Sequence, residues 1–281
     1  MLKLRVITAL VLLGILLPAT FDPDPLVFSV VAFIFIIAGS WEWGRLNQCS
    51  PSDALVVGGL TAVLCGMTAY GGVLQYHLPL LWSVGGGFWV SVSVNLLRGG
   101  QARWERIPRA GRLAGGILIL WMAWVAVSQA RIIGINFLFS ILVLVWVADI
   151  FAYFTGKAFG GRFFKEKLAP SISPGKTREG ALGGLFGIVV IAFIWCAVDA
   201  RYMMDSPSLY TYLAQIHPLL MLIAILFLGV MSIVGDLVES LFKRSAGVKD
   251  SSQLLPGHGG VLDRVDALLP VLPLAMMMVT L

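Results

Sequence analysis

Residues 216–238 read IHPLLMLIAILFLGVMSIVGDLV, an apolar run interrupted by one acid, Asp236. A stretch of this kind matches the roughly 20 apolar residues that a helix needs to cross a bilayer. Eight more lie near 4–21, 26–44, 54–72, 78–97, 113–130, 134–154, 180–199 and 262–281. Composition agrees with them. Of 281 residues, 58% are hydrophobic and 12% charged, with mean hydropathy +0.90, whereas a soluble domain carries about 25% charged residues. The expected fold is therefore all-α: a polytopic membrane protein of about nine transmembrane helices, with 1–281 forming a single integral membrane domain.

Charge orients the spans. With the N-terminus cytoplasmic and the C-terminus external, eighteen of the twenty Lys and Arg residues fall on the cytoplasmic side, and only Arg131 and Arg201 do not. That one-sided excess is the usual mark of cytoplasmic loops. The net charge of +5 is spread too thinly over apolar sequence to read as a nucleic-acid-binding patch. Cys49, Cys65 and Cys196 have neither the number nor the spacing of a disulfide framework. Lys3, Arg5 and the run to Leu17 resemble a signal peptide, but no cleavage-type small residues follow, so a retained first span is expected. Polar chemistry then belongs to the long cytoplasmic loops 98–112, 155–179 and 239–261.

The third of these is the richest. Asp236, Glu239, Ser240 and Lys243 recur at helical spacing, so one face of the eighth helix turns polar as it leaves the membrane. Asp263 and Asp266 share a face where the ninth begins. Carboxylates at that depth are costly unless paired, metal-bound or in a wet cavity. Asp236, Asp263 and Asp266 form an oxygen-rich set suited to Mg²⁺, which binds one or two carboxylates together with substrate phosphates; a second cation is compatible with it. Lys243, Arg244, Lys249 and Arg264 are placed to hold phosphate oxygens, and His258-Gly259-Gly260 offers backbone amides before a helix N-terminus. The alternative is structural, with Asp236 and Asp263 paired to Arg244 and Arg264.

Loop 155–179 carries Lys176, Thr177 and Arg178 at the opening of the seventh helix, a favourable place for phosphate. Its Gly175-Lys176-Thr177 is not a P-loop: Pro170 stands where the first glycine belongs and no strand precedes it. Glu179 is placed either to act as a ligand or to orient Lys176. Asp149, inside the sixth span, is either functional or paired with a loop lysine. The arginines of 98–112 read as topology signals, and the nine tryptophans as interfacial belts. Segment 1–100 has little that is diagnostic.

Two blocks carry a resemblance. The first comprises Ser240–Arg244 (SLFKR), Lys249-Asp250 and Leu255–Asp266 (LPGHGGVLDRVD); the second is Ser173–Gly180 (SPGKTREG). At fixed spacing they resemble the phosphatidate cytidylyltransferase, or CDP-diacylglycerol synthase, family. The resemblance implies a nucleotidyltransferase of phospholipid biosynthesis. It would transfer CMP from CTP to phosphatidate, release pyrophosphate, and use Mg²⁺. It further implies a catalytic part at 149–281 in a bacterial-type inner membrane, facing the cytoplasm. Catalytic residues would be Lys249, Asp250, His258, Asp263 and Arg264. Substrate would be bound by Ser173, Lys176, Thr177, Glu179, Ser240, Lys243, Arg244, Gly259 and Gly260. CTP, phosphatidate and membrane lipids are the expected partners, with no nucleic acid; a homodimer is compatible with the sequence. Rival readings are a CTP-dependent polyprenol kinase and an ion transporter. A CDP-alcohol phosphotransferase is excluded by the absence of its aspartate motif.

Overall fold

Pro25, Pro51, Pro79 and Pro218 each open a helix, where the N–H that proline lacks would have no partner. Asp24, Ser50 and His217 precede three of them and accept from the N–H groups of Leu26, Asp53 and Leu219. The computed structural model, which describes residues 2–280, contains α1 (Leu2–Phe21), α2 (Pro25–Leu46), α3 (Pro51–Tyr70), α4 (Pro79–Glu105), α5 (Arg109–Ile133), α6 (Ile135–Phe159), α7 (Arg178–Arg201), α8 (Leu209–Ile216), α9 (Pro218–Ser245), α10 (Leu262–Val265) and α11 (Leu268–Thr280). No strand occurs among the described residues.

Eight helices, α1 to α7 and α9, are long and apolar enough to cross a membrane. The run expected as a ninth span is divided. Its α11 has 13 residues, about 20 Å at 1.5 Å per residue, short of a hydrocarbon core of about 30 Å. The division falls at Asp266, whose carboxylate accepts from the next N–H, Ala267, at 2.8 Å. A side chain bonding its own backbone competes with the helical ladder. The segment expected as loop 98–112 is also mostly helical. Helix α4 continues to Glu105, bending at Gly100 (φ 60°), and α5 resumes at Arg109. The short turn expected after residue 130 is a single residue, Gly134.

Helices α6 and α7 pack along each other at backbone distance. A Cβ on Gly180 or Gly184 would lie 2.8 Å from the Ala152 carbonyl oxygen or 2.7 Å from that of Ala148, so only glycine admits this approach. Helix α2 lies against α3 and α5, and α11 packs against α4, α5 and α9. Trp43, Trp82, Trp89, Trp104 and Trp124 are buried within this packing rather than set in a belt. Trp43 and Trp104 clasp Phe242 of α9 at 5.0 and 4.2 Å between ring centroids. The Trp43 indole N–H also donates to the Arg112 carbonyl at 3.1 Å. Aromatic contacts thereby fix the end of the bundle from which α9 projects its charged turn.

Candidate active site

The polar face of α9 meets α10 and loop 246–261 at that end. Lys243 is ion-paired to Glu239 one turn back and donates to Asp263 Oδ1 at 2.6 Å. Only 13% of its side chain is exposed and 5% of that of Asp263, so this is a shielded ion network and not a surface pair. Asp263 Oδ2 accepts three more hydrogen bonds, from the Ser251 N–H (2.9 Å), Ser251 Oγ (2.9 Å) and the Gly260 N–H (2.8 Å). Burial works against its charge, but Lys243 and these donors hold its carboxyl below the ordinary range. Asp263 thus fastens loop 246–261 to α9.

Lys176 reaches from the second loop to Asp236 Oδ2 at 2.5 Å, and Ser240 Oγ donates to the other oxygen at 3.3 Å. The pairing expected for the structural alternative therefore exists with other partners: Lys176 and Lys243 replace Arg244 and Arg264. Arg244 Nε points instead at the Ile172 carbonyl, 3.4 Å away, and ties α9 to loop 168–177. Thr177 caps α7, its hydroxyl accepting from the Gly180 N–H at 3.0 Å. Ser173 shapes the turn before it, donating its N–H to the Ala169 carbonyl and accepting from the Lys176 N–H.

Two concavities result. Asp149, Lys157, Lys176, Thr177 and Asp236 line a cavity of about 500 Å³ between α6, α7 and α9. Arg5, Lys249, Asp250, His258, Gly259 and Arg264 line a groove of about 660 Å³ beside loop 246–261. The His258 Nδ1 is buried without a partner among the described residues. Of the site residues inferred from sequence, Lys176, Thr177 and Asp236 line the cavity and Lys249, Asp250, His258, Gly259 and Arg264 the groove; Lys243 and Asp263 form the network between α9 and α10, and Ser173, Glu179, Ser240, Arg244, Gly260 and Asp266 line neither.

The expected metal set is not assembled as a set. Among the described residues no three acidic, His or Cys side chains are arranged to hold an ion, and the oxygens of Asp263 are already engaged. Asp236 is the more accessible carboxylate, 32% exposed against 5% for Asp263, although Lys176 and Ser240 contact its two oxygens. Gly235 packs so closely that a Cβ there would lie 2.6 Å from the Asp266 carbonyl oxygen; this brings α9 and its Asp236 beside Asp266. Burial and the neighbouring Asp236 charge push the Asp266 carboxyl up to about 7. Two adjoining carboxylates at a helix end are donors of the kind that a divalent cation takes together with substrate phosphates.

The sequence model of the cytidylyltransferase family matches residues 3–281. The chain belongs to this family. It is 38% identical over 287 residues to the phosphatidate cytidylyltransferase of Pseudomonas aeruginosa, covering 97% of this chain and 95% of that one. The Haemophilus influenzae protein of the same name is 35% identical, with 97% and 96% covered. That of Bacillus subtilis is 44% identical over 140 residues, about half of each chain. The chain is accordingly a nucleotidyltransferase.

The structure of this family member adds a residue that the sequence did not single out. Glu42, wholly buried on α2, accepts from Ser251 Oγ (3.2 Å), Ser252 Oγ (2.6 Å) and the N–H groups of Val261 (2.9 Å) and Leu262 (2.8 Å). It holds both ends of the 251–262 segment and caps α10. Its signal in the sequence is an acid close to the end of an otherwise apolar span, with Arg45 the nearest cation. Arg5 and Thr8 of α1 donate to the Gly257 and Pro256 carbonyls at 3.0 and 2.9 Å. Segment 1–100 thus helps to build the site.

Glu179 has a comparable task in the second loop. Its Oε1 accepts from the N–H groups of Gly161, Phe163 and Phe164 at 3.0 to 3.1 Å. Glu179→Ala removes the acceptor for all three and is expected to loosen the loop, with Glu179→Gln intermediate. Limited trypsin digestion reads this directly: cleavage after Arg162 and Lys165 should accelerate. An unchanged digestion rate would show that Glu179 does not order the loop.

Proposed function

We propose that this chain joins CTP and phosphatidate to form CDP-diacylglycerol and pyrophosphate, at the charged end of the bundle and on the cytoplasmic face of a bacterial cell membrane. The observation that carries the reading is the seating of both diagnostic loops on one helix end: Lys176 on Asp236, and Lys243 on Asp263. Phosphatidate has its phosphate at the interface and its chains in the bilayer, so a site at helix ends meets both substrates.

The chemistry is in-line displacement at phosphorus. A phosphatidate oxygen bonds to the α-phosphorus of CTP, the bond from that phosphorus to the β-bridging oxygen breaks, and its electron pair leaves on pyrophosphate. Phosphatidate is already anionic near neutral pH, since a phosphomonoester has its second pKa near 6, so no strong base is required. The difficulty is bringing two anions together. Lys176, Lys249 and Arg264 answer it by offsetting charge, and Lys176, at the opening of α7, adds to the helix-end field; Lys243 holds Asp263 in place behind them. Asp236 orients Lys176. Asp236 and Asp266 would hold Mg²⁺, which when bound supplies charge neutralisation for the triphosphate.

The test is pyrophosphate release by detergent-purified protein given CTP, phosphatidate and Mg²⁺. Lys176→Met and Asp236→Asn are each expected to lower kcat by about 10²–10³, the usual loss when one charge-stabilising group is removed. CTP consumption with a polyprenol but not with phosphatidate would replace this reading by the kinase, and no CTP consumption at all would remove it.

A further inference from the structure

A third concavity lies below loop 246–261, an apolar crevice of about 240 Å³ between α1, α2, α6 and α11. Leu16, Phe28, Phe35, Leu142, Trp146 and Leu268 are among its walls. Near the loop α1 is pinned by Arg5 and Thr8, and at its far end Phe21 touches Phe139 of α6 at 5.8 Å between centroids. Between these two contacts the helices stand apart. Leu17 and Trp146, at the edges, are 43% and 48% exposed.

Two polar side chains line the crevice, Thr20 and Arg264. Thr20 donates its hydroxyl to the Leu16 carbonyl at 2.7 Å and is satisfied. Arg264 is different: it is exposed, and its guanidinium makes no hydrogen bond or ion pair among the described residues. Arg264 and Leu255 also line the polar groove that contains Lys249 and His258. A polar compartment and an apolar one therefore meet at one uncommitted cation. That is the outline of a phosphate on a hydrocarbon chain. The depth agrees as well. From Arg5 to Leu16 is eleven residues, about 16 Å of helix, close to the half-thickness of a hydrocarbon core of about 30 Å.

We propose that this crevice takes an acyl chain of the phosphatidate substrate, whose phosphate is bound by Arg264 at its mouth. The proposal rests on the function inferred above and adds where the lipid sits. The bidentate fork of an arginine suits a phosphomonoester, and the apolar walls suit hydrocarbon alone. CTP then approaches from the aqueous side, where the lysines lie.

The experiment uses the wild-type protein in phosphatidylcholine nanodiscs and phosphatidate with a diazirine near the end of one chain. After irradiation and digestion, adducts are expected on the Leu16–Thr20 part of α1 and the Phe139–Trp146 part of α6. Unlabelled phosphatidate in tenfold excess should reduce them about tenfold by mass action, and phosphatidylcholine should not. Arg264→Gln should lose the competed share and retain only background labelling. Adducts on the α7 and α9 walls instead, or equal competition by phosphatidylcholine, would overturn the proposal. Pyrophosphate release in the same samples separates the two readings. Release with adducts elsewhere removes only the crevice; no release removes the reaction itself.

Discussion

Glu42→Leu is expected to lower kcat/KM for CTP by at least about 100-fold, equivalent to roughly 3 kcal/mol, while the helical bundle stays folded. Leucine fills similar space but accepts no hydrogen bond. The Ser252 hydroxyl and the N–H groups of Val261 and Leu262 lose their acceptor, while the Ser251 hydroxyl keeps Asp263. Each buried donor left without a partner costs about 1–3 kcal/mol. The cheapest escape is for loop 246–261 to lift toward water, taking Lys249, Asp250 and His258 with it. Gly260 leaves no slack for another arrangement: a Cβ there would stand 2.5 Å from Glu42 Oε1 and 2.0 Å from Ser251 Oγ. Glu42 acts through the loop, so it is a positioning residue. Glu42→Gln keeps one oxygen acceptor and should recover part of the rate. Kinetics of the three proteins together with their Tm values decide the matter. A rate that falls only as far as the folded fraction falls would make Glu42 a plain stabiliser.

Lys243→Met is expected to destabilise the protein by about 3–5 kcal/mol, the usual cost of stranding a buried charge, and to abolish activity. Lys243 is the one cation within ion-pair distance of both Glu239 and Asp263 among the described residues. Without it, two shielded carboxylates face each other with no counter-charge. Pairing Lys243→Met with Glu239→Leu removes one of them and should return much of the stability, because the two substitutions touch the same contact and cannot be additive. Activity should stay lost in the double variant, since Asp263 still lacks its cation. Thermal unfolding of the four proteins in one detergent measures the coupling. Additive losses would mean that Lys243 is not the keystone of this network.

These expectations differ in how far the sequence anticipates them. Helical spacing alone puts Asp236, Glu239 and Lys243 on one face of α9, because a helix repeats every 3.6 residues whatever surrounds it. The choice of partners was not legible. Arg264 adjoins Asp263 in sequence and Lys243 and Arg244 both follow Asp236 on α9, yet Asp236 is paired with the distant Lys176 and Asp263 with Lys243. Asp263 was read as a metal ligand because its neighbourhood is acidic; the four donors that occupy its oxygens come from Lys243, Ser251 and Gly260, and only the folded loop delivers them. The motif suggests substrate contacts at Thr177 and Glu179; in the fold Thr177 both caps α7 and lines the cavity, and Glu179 braces loop 155–179. A polar side chain near a helix end serves either purpose, and spacing does not separate the two.

Eight of the nine long apolar runs, the concentration of charge at one end of them and membership of the family follow from the sequence without the fold. These properties add up residue by residue along the chain: apolar length against bilayer thickness, charge by loop, motif by spacing. That the ninth run breaks at Asp266, that five tryptophans face inward, and that Glu42 holds a loop 219 positions away emerges from the folded bundle alone. Hydrogen bonds and ion pairs act over about 3 Å, and the helix packing that brings distant groups within that range is a property of the whole bundle.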